Sequence, residues 1–186
     1  PIQGVLQLIC AKDSSLKKLR FLLVLLTAAF LVGMIIPNET VIPVQGATPN
    51  DWNHNTFWYE PWGSSVVHKG IDIFGKKNTH VVAPVNGVVV FSGELKRVGK
   101  VVAILGPKWR VHYVAHLNSY SVSEGDIVKL NENIGLLGNT GNAAGKPPHV
   151  HYSIVSLFPL PWLATSESQG WKRMFYINPH TKLISR

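Results

Sequence analysis

Sixteen consecutive residues, Phe21 to Ile36, carry no charge, and Lys17, Lys18 and Arg20 stand just before them. A run like this either packs inside a core or sits in lipid. The basic flank and the lack of a charged face argue for lipid, with the N-terminal side inside and the rest exported. The run is slightly long for the core of a signal peptide and slightly short for a span, and Leu19 and Pro37 bring it nearer to a span. The nearest small-residue cleavage sequence, Val44-Gln45-Gly46 before Ala47, lies ten residues past the run. A retained anchor is therefore expected in preference to a cleaved signal. The expected organisation is a basic segment over 1–20, a hydrophobic anchor over 21–37, a linker over 38–50 and one domain over 51–186. Pro1, not Met, stands first, which leaves open what precedes it.

Beyond residue 50 the pattern is that of strands and turns. Val81 to Phe91 is β-branched with Asn86-Gly87 inside it, which predicts two short strands joined there. Lys100–Leu105 and Trp109–His116 read as a hairpin around Gly106-Pro107-Lys108. Glu124-Gly125-Asp126 is a turn before Ile127-Val128, and Ile134–Gly138 and Val150–Val155 are further strands. No stretch between 51 and 156 holds a helical period for three turns. Residues 157–170 read as a loop or a short helix at most. Sixteen Gly and twelve Pro fit a mostly antiparallel β domain.

The single cysteine, Cys10, excludes a disulfide framework and a thiolate zinc site. It lacks the preceding small residue and apolar run of a lipidation signal, so no lipid is expected on it. Any metal must be held by His and carboxylate. The net charge of +8 suits an anionic partner, but there is no Lys/Arg run in the body of the chain and no nucleic-acid motif. Nucleic acid is therefore not an expected partner.

Eight histidines are present, and their grouping matters more than their number. His149-Val150-His151 puts two imidazoles on one face of a strand, with Val150 turned to the other. Pro147 and Pro148 stiffen the approach to that strand. His68-Lys69-Gly70-Ile71-Asp72 offers an imidazole and a carboxylate that converge if the chain bends at Gly70. Three ligands drawn from His and Asp, with a water, make a catalytic zinc site. By strand spacing, His112 shares a face with His116, and a packed or solvated role is expected for it. His54, His80 and His180 are expected at the surface. Trp52, Phe57, Trp58, Tyr59 and Trp62 precede the first pair, either as a core lid or as one wall of a groove. Trp162 is a candidate for the opposite wall.

These motifs, in this order, resemble the lysostaphin/LytM-type zinc endopeptidases that cleave peptidoglycan. The resemblance runs from about Trp62 to Leu183. His68-Lys-Gly-Ile-Asp72 resembles the family's first metal motif, and Ala83-Pro-Val-Asn-Gly-Val-Val89 its second hairpin. Tyr113-Val-Ala-His-Leu117 resembles the segment with an active-site histidine, with one extra residue between Tyr and Ala. Gly125-Asp-Ile-Val128 and Ile134-Gly135 follow as the family's turn and strand do. Gly138-Asn-Thr-Gly141 and Gly145-Lys-Pro-Pro-His-Val-His-Tyr152 resemble its G-x-T-G and G-P-H-x-H ending, with one extra proline, and Asn178-Pro179 its closing dipeptide.

The resemblance implies an antiparallel β-sheet peptidase fold and one zinc ion per chain, held by His68, Asp72 and His151. It implies His116 and His149 as the catalytic histidines beside the metal. With all five positions filled, an active peptidoglycan endopeptidase is expected, not a regulator of other wall hydrolases that has lost part of its site. Ala83-Pro-x-x-Gly87-x-Val89 and Gly125-Asp-x-Val128 also resemble biotinyl- and lipoyl-carrier domains. The modifiable lysine motif of those domains is missing, and they have no use for His149 and His151. The expected partners are a peptidoglycan peptide and the inner membrane. A monomer is expected, on the periplasmic or extracytoplasmic side, or secreted if the signal is cleaved.

Overall fold

The computed structural model describes residues 2–185, with side chains from residue 16 onward, so the side chain of Cys10 lies outside the described residues. The chain divides into two units, Pro1–Ile36 and Pro37–Arg186. The first is one helix, α1 (Ile2–Ile35), so the basic segment and the apolar run form a continuous element. Its stretch Leu16–Ile35 is 20 residues long, with mean hydropathy 2.1 and none of it buried. At 1.5 Å per residue that is about 30 Å, the thickness of a bilayer's hydrocarbon core. By length and composition it can cross a membrane or serve as an export signal. Pro37, which cannot continue a helix, follows its end.

The second unit is mostly antiparallel β structure. Its strands are β1 (Ile71–Phe74), β2 (His80–Val82), β3 (Gly87–Leu95), β4 (Gly99–Gly106), β5 (Arg110–Leu117), β6 (Ser119–Tyr120), β7 (Ile127–Val128), β8 (Asn133–Leu136), β9 (His149–Ser156) and β10 (Tyr176–Ile177). A seven-stranded sheet runs β1-β9-β5-β4-β3-β7, and β10 pairs with β9 as well; β2-β8-β6 make a smaller sheet. A short C-terminal helix, α2 (Pro179–Ile184), is capped by the Asn178 side chain, which accepts from the His180 N–H at 3.0 Å. Val150, Tyr152 and Ile154 of β9, Ile71 and Ile73 of β1 and Val114 of β5 join Val81 and Ile134 of the smaller sheet in one core.

Two expectations are corrected here. The strands on either side of Asn86-Gly87 do not pair with each other. β2 pairs with β8, while β3 pairs with β4 and β7. Pro84 lies between them and has no N–H to donate to a ladder, so the chain turns a corner from one sheet to the other. Residues 38–50 are also no free linker. Val44 is buried and bridges to Val81, and Ile42 and Ala47 pack on the core. Backbone bonds run from Val41 N to Pro84 O, from Gln45 N to His80 O and from Val82 N to Pro43 O. The polar, proline-containing texture of this segment hid a backbone that completes the edge of the smaller sheet.

Candidate metal centre and active site

Strand register assembles the site. Asp72 of β1 lies opposite His151 of β9, and His151 lies opposite Ala115 of β5. The period of two then places His149, His151 and Ser153 on the face away from the core, while Val150, Tyr152 and Ile154 fill it. Gly70 is needed because β9 comes so close. A Cβ there would meet Tyr152 O at 2.4 Å, Ser153 Oγ at 2.5 Å and His151 Cε1 at 2.9 Å. His68, which precedes it, is 1% exposed and reaches the same point from the loop before β1.

Nε2 of His68 is 3.1 Å from Asp72 Oδ1 and 3.0 Å from His151 Nδ1, and His151 Nδ1 is 2.9 Å from Asp72 Oδ1. The protons on these rings are fixed from behind. His68 Nδ1–H donates to Thr56 O at 3.1 Å. Ser153 donates its hydroxyl to Lys69 O at 2.7 Å, so its oxygen accepts from His151 Nε2–H at 2.9 Å. In the neutral rings the two nitrogens that meet at Asp72 are therefore bare. Burial disfavours charge on His151 more than Asp72 favours it, and its pKa falls below the ordinary value. Three lone pairs thus converge with no proton between them, which is a site for a cation. A tetrahedral ion with bonds of about 2.0–2.1 Å wants ligand atoms roughly 3.3 Å apart, so this set fits zinc.

The structure brings His149 and His116 to the same place. His149 Nδ1–H donates to Pro147 O at 2.7 Å, which leaves Nε2 bare, 4.0 Å from Asp72 Oδ2. His116 arrives by a β-bulge. Lys100 pairs with Leu117 and Val102 with Val114, so Ala115 and His116 together oppose Val101. His116 takes φ +67°, a left-handed conformation that costs a non-glycine residue about 1–2 kcal/mol. Its Nδ1–H is shared between Val98 O and Thr140 O, both at 3.0 Å, and its ring centroid is 5.1 Å from that of His149. Burial first, then the neighbouring His151 and His149, lowers its pKa to about 4.

The same bulge overturns the face expected for His112, which takes a packed role instead of sharing the side of His116. It faces the core, fully buried, with its Nδ1 2.7 Å from the Tyr152 hydroxyl. Burial, then the charge of Arg110, lowers its pKa to about 3. Strand parity alone put it with His116; the extra residue between them separates the two.

The aromatic segment before His68 divides. Trp52 and Trp58 are buried, and their indole N–H groups donate to His180 Nδ1 at 3.2 Å and Ser168 O at 3.1 Å. Trp62 instead stacks on His68 at 3.9 Å and 17° and lines the groove over the site. Trp162 is 76% exposed and does not line that groove. His54 and His80 are exposed as expected. His180 is half-buried and accepts the Trp52 bond, while His54 stacks on it at 4.2 Å. Two residues escaped sequence reasoning. Ser153 buttresses His151. Tyr113, opposite Ser153 in the register, lines the groove, and burial raises its pKa to about 12.

Peptidase family M23 matches residues 66–157. The L-Ala–D-Glu endopeptidase of Bacillus subtilis (strain 168) is 30% identical over 143 residues, covering 68% of this chain and 42% of that protein. The peptidoglycan DD-endopeptidase ShyA of Vibrio cholerae is 35% identical over 89 residues, 47% of this chain and 20% of that one. This chain thus spans less than half of each of these curated relatives. The catalytic domain of the antimicrobial peptidase lysostaphin from Staphylococcus simulans superposes with TM-score 0.58 at 25% identity, covering 74% of this chain and 96% of that one. The chain therefore carries a peptidase family M23 domain, built on the fold of the LytM/lysostaphin-type peptidases.

Proposed function

We propose that this chain is a zinc-dependent endopeptidase that hydrolyses peptide bonds of peptidoglycan outside the cytoplasm, tethered to the membrane by α1. The observation that carries this reading is the unprotonated meeting point of His68, Asp72 and His151, with two further bare imidazole nitrogens beside it. The family match supports peptidase chemistry, and the relatives named as peptidoglycan endopeptidases support the substrate.

His68, Asp72 and His151 would hold zinc, which supplies Lewis acidity and a nucleophile at neutral pH. The chain's other groups move protons and steady charge. His116 is neutral at pH 7, and its Nδ1–H is tied to two carbonyls, so only Nε2 is free to take a proton from the attacking water. His149 is oriented in the same way by Pro147 O. The imidazole that accepts the water's proton on its bare Nε2 then holds the proton that passes to the leaving amine. Tyr113 keeps its phenolic hydrogen through the neutral range, which suits it to donate to the oxyanion that forms on the scissile carbonyl. Trp62 covers one side of His68 and excludes water from it.

The test is to incubate the full chain, in neutral detergent, with purified peptidoglycan and to analyse the released fragments by mass spectrometry. New termini within stem peptides or cross-links are expected, lost on chelation and restored by zinc. Cleavage confined to the sugar strands, or peptidoglycan bound but left intact, contradicts the reading.

A further inference from the structure

The groove over the site has a volume of about 820 Å³, and its lining carries an unbalanced charge. Asp72 is its only carboxylate, and the two histidines opposite already engage it. Lys69, Arg97 and Lys146 face the same space. Among the described residues, none of these three cations forms an ion pair with a carboxylate.

Two of the cations are fixed on one wall. Lys69 Nζ donates to Ser65 O at 3.0 Å and lies 5.8 Å from the centre of the Trp58 ring. The Arg97 guanidinium donates to Ser64 Oγ. Both partners belong to the single 3₁₀ turn Gly63–Ser65. The backbone under Arg97 is pinned as well, since Asn142 N donates to Arg97 O at 2.8 Å. Gly141, at φ +65°, allows that approach; a Cβ there would meet Gly99 N at 2.3 Å and Arg97 O at 2.7 Å. An ammonium has three donors and a guanidinium five, so the neutral oxygens that hold these groups leave most donors free for a ligand. Cations held in place without a counter-charge, beside a reaction centre, form a carboxylate receptor.

We propose that Lys69 and Arg97, with Lys146 at the rim, bind a free carboxylate of the substrate next to the scissile bond, so that the enzyme selects acidic peptides over their amidated forms. This rests on the groove being the peptide-cleaving site. Charge-assisted hydrogen bonds are about twice as strong as neutral ones, so discrimination of about 10-fold or more is expected.

The test compares two ligands from one preparation of cross-linked muropeptides, native and with the carboxylates converted to carboxamides. Affinities for the full chain in neutral detergent are read by fluorescence anisotropy of labelled muropeptides, and turnover is read separately. The native form should bind at least about 10-fold tighter. In the double variant K69M/R97M this ratio should fall towards one. K69R keeps the cation and should keep most of the ratio, and K129M, at an exposed lysine outside the groove, should keep all of it. Equal affinity of the wild type for both ligands overturns the proposal. So does a ratio that falls as far in K129M as in K69M/R97M, which would assign the effect to net charge. Discrimination without turnover leaves the carboxylate site standing and sinks the endopeptidase reading; turnover without discrimination does the reverse.

Discussion

Replacing Ser153 with Ala removes the one group that fixes the proton of His151. The hydroxyl accepts from His151 Nε2–H at 2.9 Å and donates to Lys69 O at 2.7 Å, and the residue is 4% exposed. Without it the ring is free to carry its proton on Nδ1, the atom that faces Asp72. Loss of such a partner behind a ligating histidine costs about 10- to 100-fold in metal affinity, or about 1.4–2.7 kcal/mol. The two unmatched buried groups also lower stability, by about 1–3 kcal/mol. Ser156→Ala separates the two effects. Ser156 is on the same strand, equally buried, and donates to Phe158 O at 2.7 Å away from the site. Both variants should unfold at lower urea concentration than wild type, while only Ser153→Ala should lose zinc affinity, measured by competition with a chromophoric chelator. Equal zinc affinity in the two variants refutes the idea that Ser153 orients His151.

Other expectations follow from the packing. A chain begun at Ala47 should be about 4 kcal/mol less stable than one begun at Pro37, since it loses the buried Val44 and three backbone bonds to the smaller sheet; equal urea midpoints contradict this. Gly70→Ala should give soluble protein without zinc, or none at all, because its Cβ would lie 2.4 Å from Tyr152 O; a zinc-loaded variant is the contrary result. His112 is kept neutral in the fold, with a pKa of about 3 against 6.5 when unfolded. The unfolded chain therefore binds the extra proton, and the stability from this group is full above pH 6.5 and lost as pH falls towards 3. In chelator-treated protein, the stability advantage of wild type over His112→Asn should shrink by about 1.4 kcal/mol per pH unit between about pH 6 and 4. An advantage that does not change with pH shows that His112 is not held neutral.

How much of this was legible in the sequence depended on whether local spacing or distant packing set each position. His149 and His151 could be paired from their spacing because a strand repeats every two residues, and nothing interrupts β9 between them. The antiparallel β character followed from turns and β-branched runs in the same way. The aim of His116 was not legible, since the bulge that re-aims it depends on Val98, Thr140 and the pairing with β4. The same bulge made the parity of His112 misleading. Ser153 carried no signal, as a serine in a strand is common and its role comes from the Lys69 carbonyl, 84 residues away in sequence. Residues 38–50 read as a linker because a chain that completes a sheet edge with backbone bonds needs few apolar side chains to do so. The apolar run was legible as a stretch long and apolar enough to cross a membrane, yet hydropathy showed only the C-terminal half of a helix that runs from Ile2 to Ile35.

The most direct test of the central claim is zinc content, by elemental analysis, beside turnover of a cross-linked muropeptide in five single alanine variants. Alanine at His68, Asp72 or His151 should abolish zinc and activity together. Alanine at His116 or His149 should leave about one zinc per chain and slow hydrolysis by roughly 10²- to 10⁴-fold, the scale of a lost general base. Zinc lost from His149→Ala but kept in His151→Ala would reverse the two roles. Zinc and turnover unchanged in all five would contradict the account.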